Sequence, residues 1–151
     1  MAVTLRDDRA ALLEAYRRSW QSNQERPMPT PIFVFGSNLA GRHGKGAALW
    51  ARQHRGAIYG RGVGRQGDAY AIPTKDHRLC VLPLSTIRMH VESFLDHARA
   101  HPDARFELTP IGCGLAGYRP DEVAPMFAAA PTNVAMPASF AAVLTAPPSP
   151  T

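Results

Sequence analysis

The stretch FGSNLAGRHGKGAALWA (35–51) limits what this chain can fold into more than any other. It lies between an apolar run, IFVF (32–35), and GAALWARQH (46–54), whose Ala47, Leu49, Trp50 and Ala51 have helical spacing. Gly36, Gly41, Gly44 and Gly46 are crowded into it beside Asn38, Arg42, His43 and Lys45. Glycine at this density in a strand-to-helix connection means that backbone bends sharply or lies close to something.

A second stretch repeats the arrangement. RFELTPI (105–111) reads as a strand running into GCGLAGY (112–118), and Pro120, Asp121 and Glu122 then announce a helix start. In open α/β sheets the C-terminal ends of the strands are where ligands bind, and helix N-termini there point N–H groups at anions. Two such turns facing one crevice suggest a diphosphate-bearing small molecule; tight connections with no ligand are the alternative. The phosphate-loop pattern is absent, because GRHGKGAA has the wrong spacing and no Lys-Ser/Thr ending. No clean G-x-G-x-x-G opens a helix either.

The other elements follow from periodicity. Residues 7–22 predict an amphipathic helix, begun by Asp7 and Asp8, with Leu12, Leu13, Tyr16 and Trp20 on one face. ERPMPTP (25–31) is a connector that cannot continue it. The glycine-laden segment 56–73 predicts one or two short strands, with Arg61 and Arg65 on a solvated turn, and RLCVLP (78–83) predicts another. Residues 85–101 predict a helix capped by Ser85, with Ile87, Val91, Phe94 and Ala98 facing the core. NVAMP (133–137) is a last short strand, and TAPPSPT (145–151) a tail with no means of packing. The expected division is a helix and connector over 1–30, one α/β domain over 31–144, and the tail. Strands alternating with helices make that domain a sheet sandwiched by helices.

Composition sets bounds on this reading. A chain of 151 residues is one domain by length. A net charge of +5 permits nucleic acid as a partner, although Lys and Arg are dispersed. Cys80 and Cys113 make neither a disulfide framework nor a metal pattern, so no metal or cofactor is expected. The start has no signal-peptide run and no segment approaches ~18 apolar residues. The expectation is a cytoplasmic protein without a membrane segment.

FVFGSNLAGRHGKGAALWA and LTPIGCGLAGY together resemble the pair of ligand loops of macrodomains, the ADP-ribose-binding fold. The second motif resembles especially the branch containing the terminal ADP-ribose protein glycohydrolase and the DNA de-ADP-ribosylating antitoxins. The first is also similar to small phage-encoded proteins of macrodomain type. The resemblance covers roughly residues 31–137. It implies a three-layer α/β sandwich with a central mixed sheet. The implied partner is ADP-ribose or an ADP-ribosylated DNA, RNA or protein, and the implied reaction is hydrolytic removal of the ADP-ribosyl group from a macromolecule or processing of a free ADP-ribose derivative. On this resemblance Gly36, Ser37 and Asn38 lead into the site, with Asn38 beside the distal ribose. Gly44, Lys45 and Gly46 wrap that ribose and the adjoining phosphate. Gly112, Cys113, Gly114, Leu115, Ala116, Gly117 and Tyr118 form the diphosphate loop. Asn38 is open to a turn role instead, Tyr118 to core packing, and Cys113 to plain space-filling.

Two residues are candidates for chemistry. The glycohydrolase branch uses a lysine after a T-K strand end and an aspartate right after I-G-C-G-L. YAIPTKD supplies Lys75 at the matching place, but Ala116 stands where the aspartate is expected. Lys75 can form a reversible imine with an opened ribose, or be a solvated lysine beside Asp76. His43, inside the first loop, can titrate near neutral pH and orient water. A binding module without turnover, and a basic protein whose glycine loops hold nucleic-acid phosphates, are the alternatives to an enzyme.

Overall fold

The computed structural model describes residues 10–18 and 29–146. Residues 10–18 form helix α1, whose Leu12, Leu13 and Tyr16 are all exposed. The other residues of the helix expected over 7–22 lie outside the described residues. So do most of the proline connector and residues 147–151 of the tail.

The domain is built around β1 (Ile32–Asn38). Its side chains alternate between two buried layers, which is why the run is apolar on both faces. Ile32 and Val34 enter the larger core, whereas Phe35 enters the smaller one, with Phe33 packed against it. α2 (Gly46–His54) follows, then β2 (Gly64–Gln66) and β3 (Ala69–Lys75). The chain continues through α3 (Leu84–Ala100), β4 (Phe106–Leu108), the single turn α4 (Pro120–Val123), a 3-10 turn (Ala124–Phe127), β5 (Val134–Ala135) and α5 (Ala138–Thr145).

The sheet order is β2-β3-β1-β4-β5. β1 pairs in parallel with β3 and β4, β4 in parallel with β5, and β2 is the antiparallel edge. The fold is therefore α/β with a five-stranded mixed sheet. α3 covers one face through Ile87, Val91, Phe94, Leu95 and Ala98, and the Phe94 ring meets Tyr70 and Phe106 edge-on. α2 covers the other face, where Ala48 and Ala51 lie on Ala69 and Ala71. Small residues on both sides bring this helix close to the sheet, and that holds its N-terminus over the strand ends.

Several expectations are corrected. Residues 78–83 are not a strand; only an isolated bridge joins Lys75 to Val81. Asp76 is the cause: its carboxylate accepts the N–H groups of Arg78 (2.8 Å) and Cys80 (2.9 Å) and closes a tight turn. Ser85 does not cap α3, which starts one residue earlier behind Pro83. The cap that matters is at its other end, where Asn133 Nδ2 donates to the carbonyls of Ala98, His101 and Ala104. In α2, Ala48 and Ala51 are buried while Ala47 is exposed. α5 was not expected; its Phe140 closes the larger core against Phe127. Among the described residues no helix is long and apolar enough to cross a membrane.

Candidate functional site

A cleft of about 680 Å³ runs across the C-terminal ends of the strands, a usual size for a small-molecule site. Its floor is Gly36, Ser37 and Asn38 from β1 with Thr74 and Lys75 from β3. Residues 109–116, following β4, form one wall, and residues 44–48, leading into α2, form the other. The parallel pairing of β1 with both β3 and β4 brings the two glycine loops to the same edge.

Both walls present unpaired backbone donors. α2 has no side-chain cap and no acid in its first turn, so the N–H groups at its start have no partner among the described residues. In the second loop, Cys113, Gly117 and Tyr118 donate their N–H groups to the carbonyls of Pro110, Gly114 and Gly112. Gly112, Gly114, Leu115 and Ala116 donate to no acceptor among the described residues. Arg42, Lys45 and Lys75 line the same space, and among the described residues no Asp or Glu does. Oriented N–H groups, a helix N-terminus and three cations, with no counter-charge among the described residues, make this a cleft of positive potential.

α4 is the contrast. The N–H of its cap residue Arg119 goes to Glu122 Oε1 (3.2 Å), and Asp121 and Glu122 fill its first turn. This helix start is satisfied by its own acids, and neither acid lines the cleft.

The sequence candidates separate into those the fold gathers and those it does not. Gly36, Ser37, Asn38, Gly44, Lys45, Gly46 and residues 112–116 all line the cleft. The Asn38 amide is also used by its own loop: Nδ2 donates to the Arg42 carbonyl (3.0 Å) and Oδ1 accepts the Arg42 N–H (2.9 Å). That leaves one N–H and one lone pair free for a ligand. Lys75 lines the cleft at the end of β3, opposite Asn38. Among the described residues no carboxylate is within ion-pair distance of it. Asp76 is occupied by its turn.

His43 does not reach the cleft. It is fully buried, edge-on to Phe35 with ring centroids 5.2 Å apart, and neither ring nitrogen has a hydrogen-bond partner. Burial lowers its pKa, and the Arg52 charge adds to the shift. The Arg61 backbone opposes it weakly, without hydrogen-bond geometry. Gly117 and Tyr118 lie outside the lining; Tyr118 packs against the core and its hydroxyl donates to the Leu82 carbonyl (2.6 Å). The Cys113 thiol is half-buried and its pKa is raised, first by burial and then by Glu122 and Asp121, so it remains a neutral filler.

The sequence reading missed Tyr59, Leu79, Thr109 and Ile111 as lining residues. Leu79 has φ of 64°, rare for a non-glycine residue, and the Asp76 turn imposes it. Tyr59, an aromatic set among glycines and 57% exposed, had a signal that could have been read. No family model, curated protein or solved structure matches the chain.

Proposed function

We propose that this chain is a macrodomain-like, cytoplasmic protein that binds an ADP-ribosyl group and removes it from a macromolecule through Lys75. The observation carrying the reading is that, among the described residues, two sets of unpaired backbone N–H groups converge on a cationic cleft that no acid lines. A diphosphate fits between the loops, where its charge meets N–H groups from both walls. Asn38 and Lys75 stand together at the end of β1 and β3, so a ribose at that end has an amide and an amine beside it. Of the two residues the sequence offers for chemistry, Lys75 is the one that lines the cleft, since His43 is walled off, and Ala116 offers no carboxylate. The Lys75 amine, once deprotonated, attacks the anomeric carbon; the bond to the macromolecule breaks with its electron pair on the leaving atom, which takes up the proton the amine sheds, and the opened sugar is held as an imine. Water then returns the amine and releases ADP-ribose.

The second reading is a binding module without turnover. The acid-free lining favours it, because no carboxylate is present to stabilise the oxocarbenium-like state or to protonate the leaving group.

Calorimetry with ADP-ribose tests the binding step. A micromolar Kd, about −8 kcal/mol, and a clear preference over AMP are expected; no heat at millimolar ligand rejects the reading. Turnover of ADP-ribosylated substrate that disappears in Lys75→Ala, with ADP-ribose affinity preserved and a borohydride-reduced adduct on Lys75 in the native protein, establishes the lysine route. Binding without turnover assigns the protein to the second reading.

A further inference from the structure

Between Glu25 and Asp68 the sequence has no acidic residue, while Arg42, Lys45, Arg52, Arg55, Arg61 and Arg65 all fall within it. The fold uses two of these cations. Arg55 lies over the Trp50 ring (5.0 Å to the centroid) and reaches Glu107 at 3.8 Å, and Arg65 Nε donates to the Gly67 carbonyl (2.7 Å). Arg42, Lys45, Arg52 and Arg61 are exposed, and among the described residues none is paired with a carboxylate.

Tyr59 joins these charges into one surface. It lines the cleft with Arg42 and Lys45, and the Arg52 guanidinium lies over its ring, 5.4 Å from the centroid. Arg61 follows two residues later on the same loop. That loop is rigidly held from below. Buried Gln66 accepts the Ile58 N–H (2.7 Å) and donates to the Arg61 carbonyl (3.0 Å), Gly60 N–H donates to the Gly41 carbonyl (2.8 Å), and Ser37 Oγ donates to the Gly62 carbonyl. An exposed aromatic ring beneath the Arg52 guanidinium is thus presented on a fixed backbone at the edge of the cleft, with Arg61 on the same loop.

We propose that the surface formed by Arg52, Tyr59 and Arg61 binds single-stranded nucleic acid. Its charge complements a polyphosphate backbone, and the Tyr59 ring offers an unpaired base a stacking platform. A duplex keeps its bases paired and stacked, and an acidic protein or anionic surface needs the charge alone and gains nothing from a fixed ring. Its two cations stand apart from the ADP-ribosyl reading, because Arg52 and Arg61 do not line the cleft, whereas Tyr59 is shared with it.

Fluorescence anisotropy of a labelled oligothymidine, titrated with the full chain at several salt concentrations, tests it. Binding is expected to weaken steeply with salt. Arg52→Glu/Arg61→Glu should lower affinity at least about tenfold and flatten the log–log salt slope by about 1.4, the loss of two phosphate contacts. Tyr59→Ala should weaken binding about tenfold, with Tyr59→Phe near the wild type. ADP-ribose calorimetry on the Arg52/Arg61 double variant should give a Kd within about twofold of wild type, which separates this surface from the cleft. If the charge reversal does not fold, Arg52→Gln/Arg61→Gln is read in the same way with half the electrostatic change. The proposal is overturned by no anisotropy change at low salt, by double variants that bind like wild type, or by a duplex or polyglutamate that binds equally well.

Discussion

A Cβ built on Gly62 would lie 2.0 Å from the Asn38 carbonyl oxygen, and one on Gly41, in the first glycine loop, 2.2 Å from the Gly60 backbone. One built on Gly114, in the second loop, meets nothing within 4 Å. The same residue type answers two different demands. In the first half of the first loop, chain lies against chain: the Gly60–Gly62 backbone sits on residues 38–41, and His43 fills the space below, whereas Gly44 and Gly46 further on meet nothing within 4 Å. The second loop is crossed by no other segment at Gly114, and exposed Leu115 follows. The absence of a side chain there leaves room for something outside the chain. Glycine density therefore marks both a clamp and a site, and only the neighbours separate them.

Gly62→Ala tests the clamp and should have the largest effect. The Asn38 carbonyl is held in a strand end and cannot retreat by an ångström, so the added methyl group should destabilise the fold by on the order of 4 kcal/mol or more. Urea unfolding measures this; a midpoint near wild type would mean that the two segments are not in contact.

Gly114→Val tests the site. Its backbone φ is not in the left-handed region and no atom opposes a side chain, so stability should stay within about 0.5 kcal/mol. ADP-ribose affinity should fall at least about 100-fold, near 2.7 kcal/mol, as the branched side chain enters the space between the walls. A folded variant that binds normally would reduce the second loop to a connector, and the distinction between the loops would go with it.

Tyr118→Phe sharpens the boundary of the second loop. The hydroxyl bonds the Leu82 carbonyl, so its removal should cost about 1 kcal/mol of stability and leave ADP-ribose affinity unchanged. A weakened affinity at constant stability would bring Tyr118 into the cleft.

Much of the layout was legible because it rests on local signals. The continuous apolar run at 32–35 gave the central strand, the spacing of Ile87, Val91, Phe94 and Ala98 gave α3, and proline followed by two acids gave the start of α4. The position of the two loops at strand ends gave most of the cleft lining. What escaped depends on contacts that periodicity does not register, some local and some between segments far apart in sequence. Asp76 turns an apolar-looking run at 78–83 away from the sheet through bonds to two N–H groups that periodicity does not register. His43 reads as a polar loop residue until Phe35 and the Arg61 segment are seen to enclose it. Tyr59 acquires a role only when the Gly60–Gly62 backbone brings it beside Asn38 and the cleft.

The smallest expected effect concerns the material under each loop. His43 lies buried beneath the first loop with no hydrogen-bond partner and with the Arg52 charge nearby, so the folded protein disfavours its protonation and its pKa is lowered. The unfolded chain binds that proton near the ordinary histidine pKa of about 6.5. A depressed base contributes stability that is fully present well above pH 6.5 and is lost as pH falls through that value, because the unfolded state then takes up the proton first. The loss attributable to this one ring cannot exceed about 0.8 kcal/mol at pH 6, the limit for a single site protonated only in the unfolded chain. His90 and His97 are shifted in the same direction by burial, so the wild-type curve alone does not isolate His43. The difference between wild type and His43→Leu does. Between pH 8 and pH 6 the wild type should lose more stability than the variant, by up to that amount, in matched urea titrations. Beneath the second loop Cys113 stays protonated across the same range, its pKa raised by burial and by Glu122 and Asp121, so Cys113→Ala should track the wild type. Parallel curves for wild type and His43→Leu would mean that the ring is solvated or partnered and that the first loop is not sealed from below. A divergence confined to His43→Leu places the acid-sensitive joint of the molecule under the clamped loop and leaves the open one indifferent to pH.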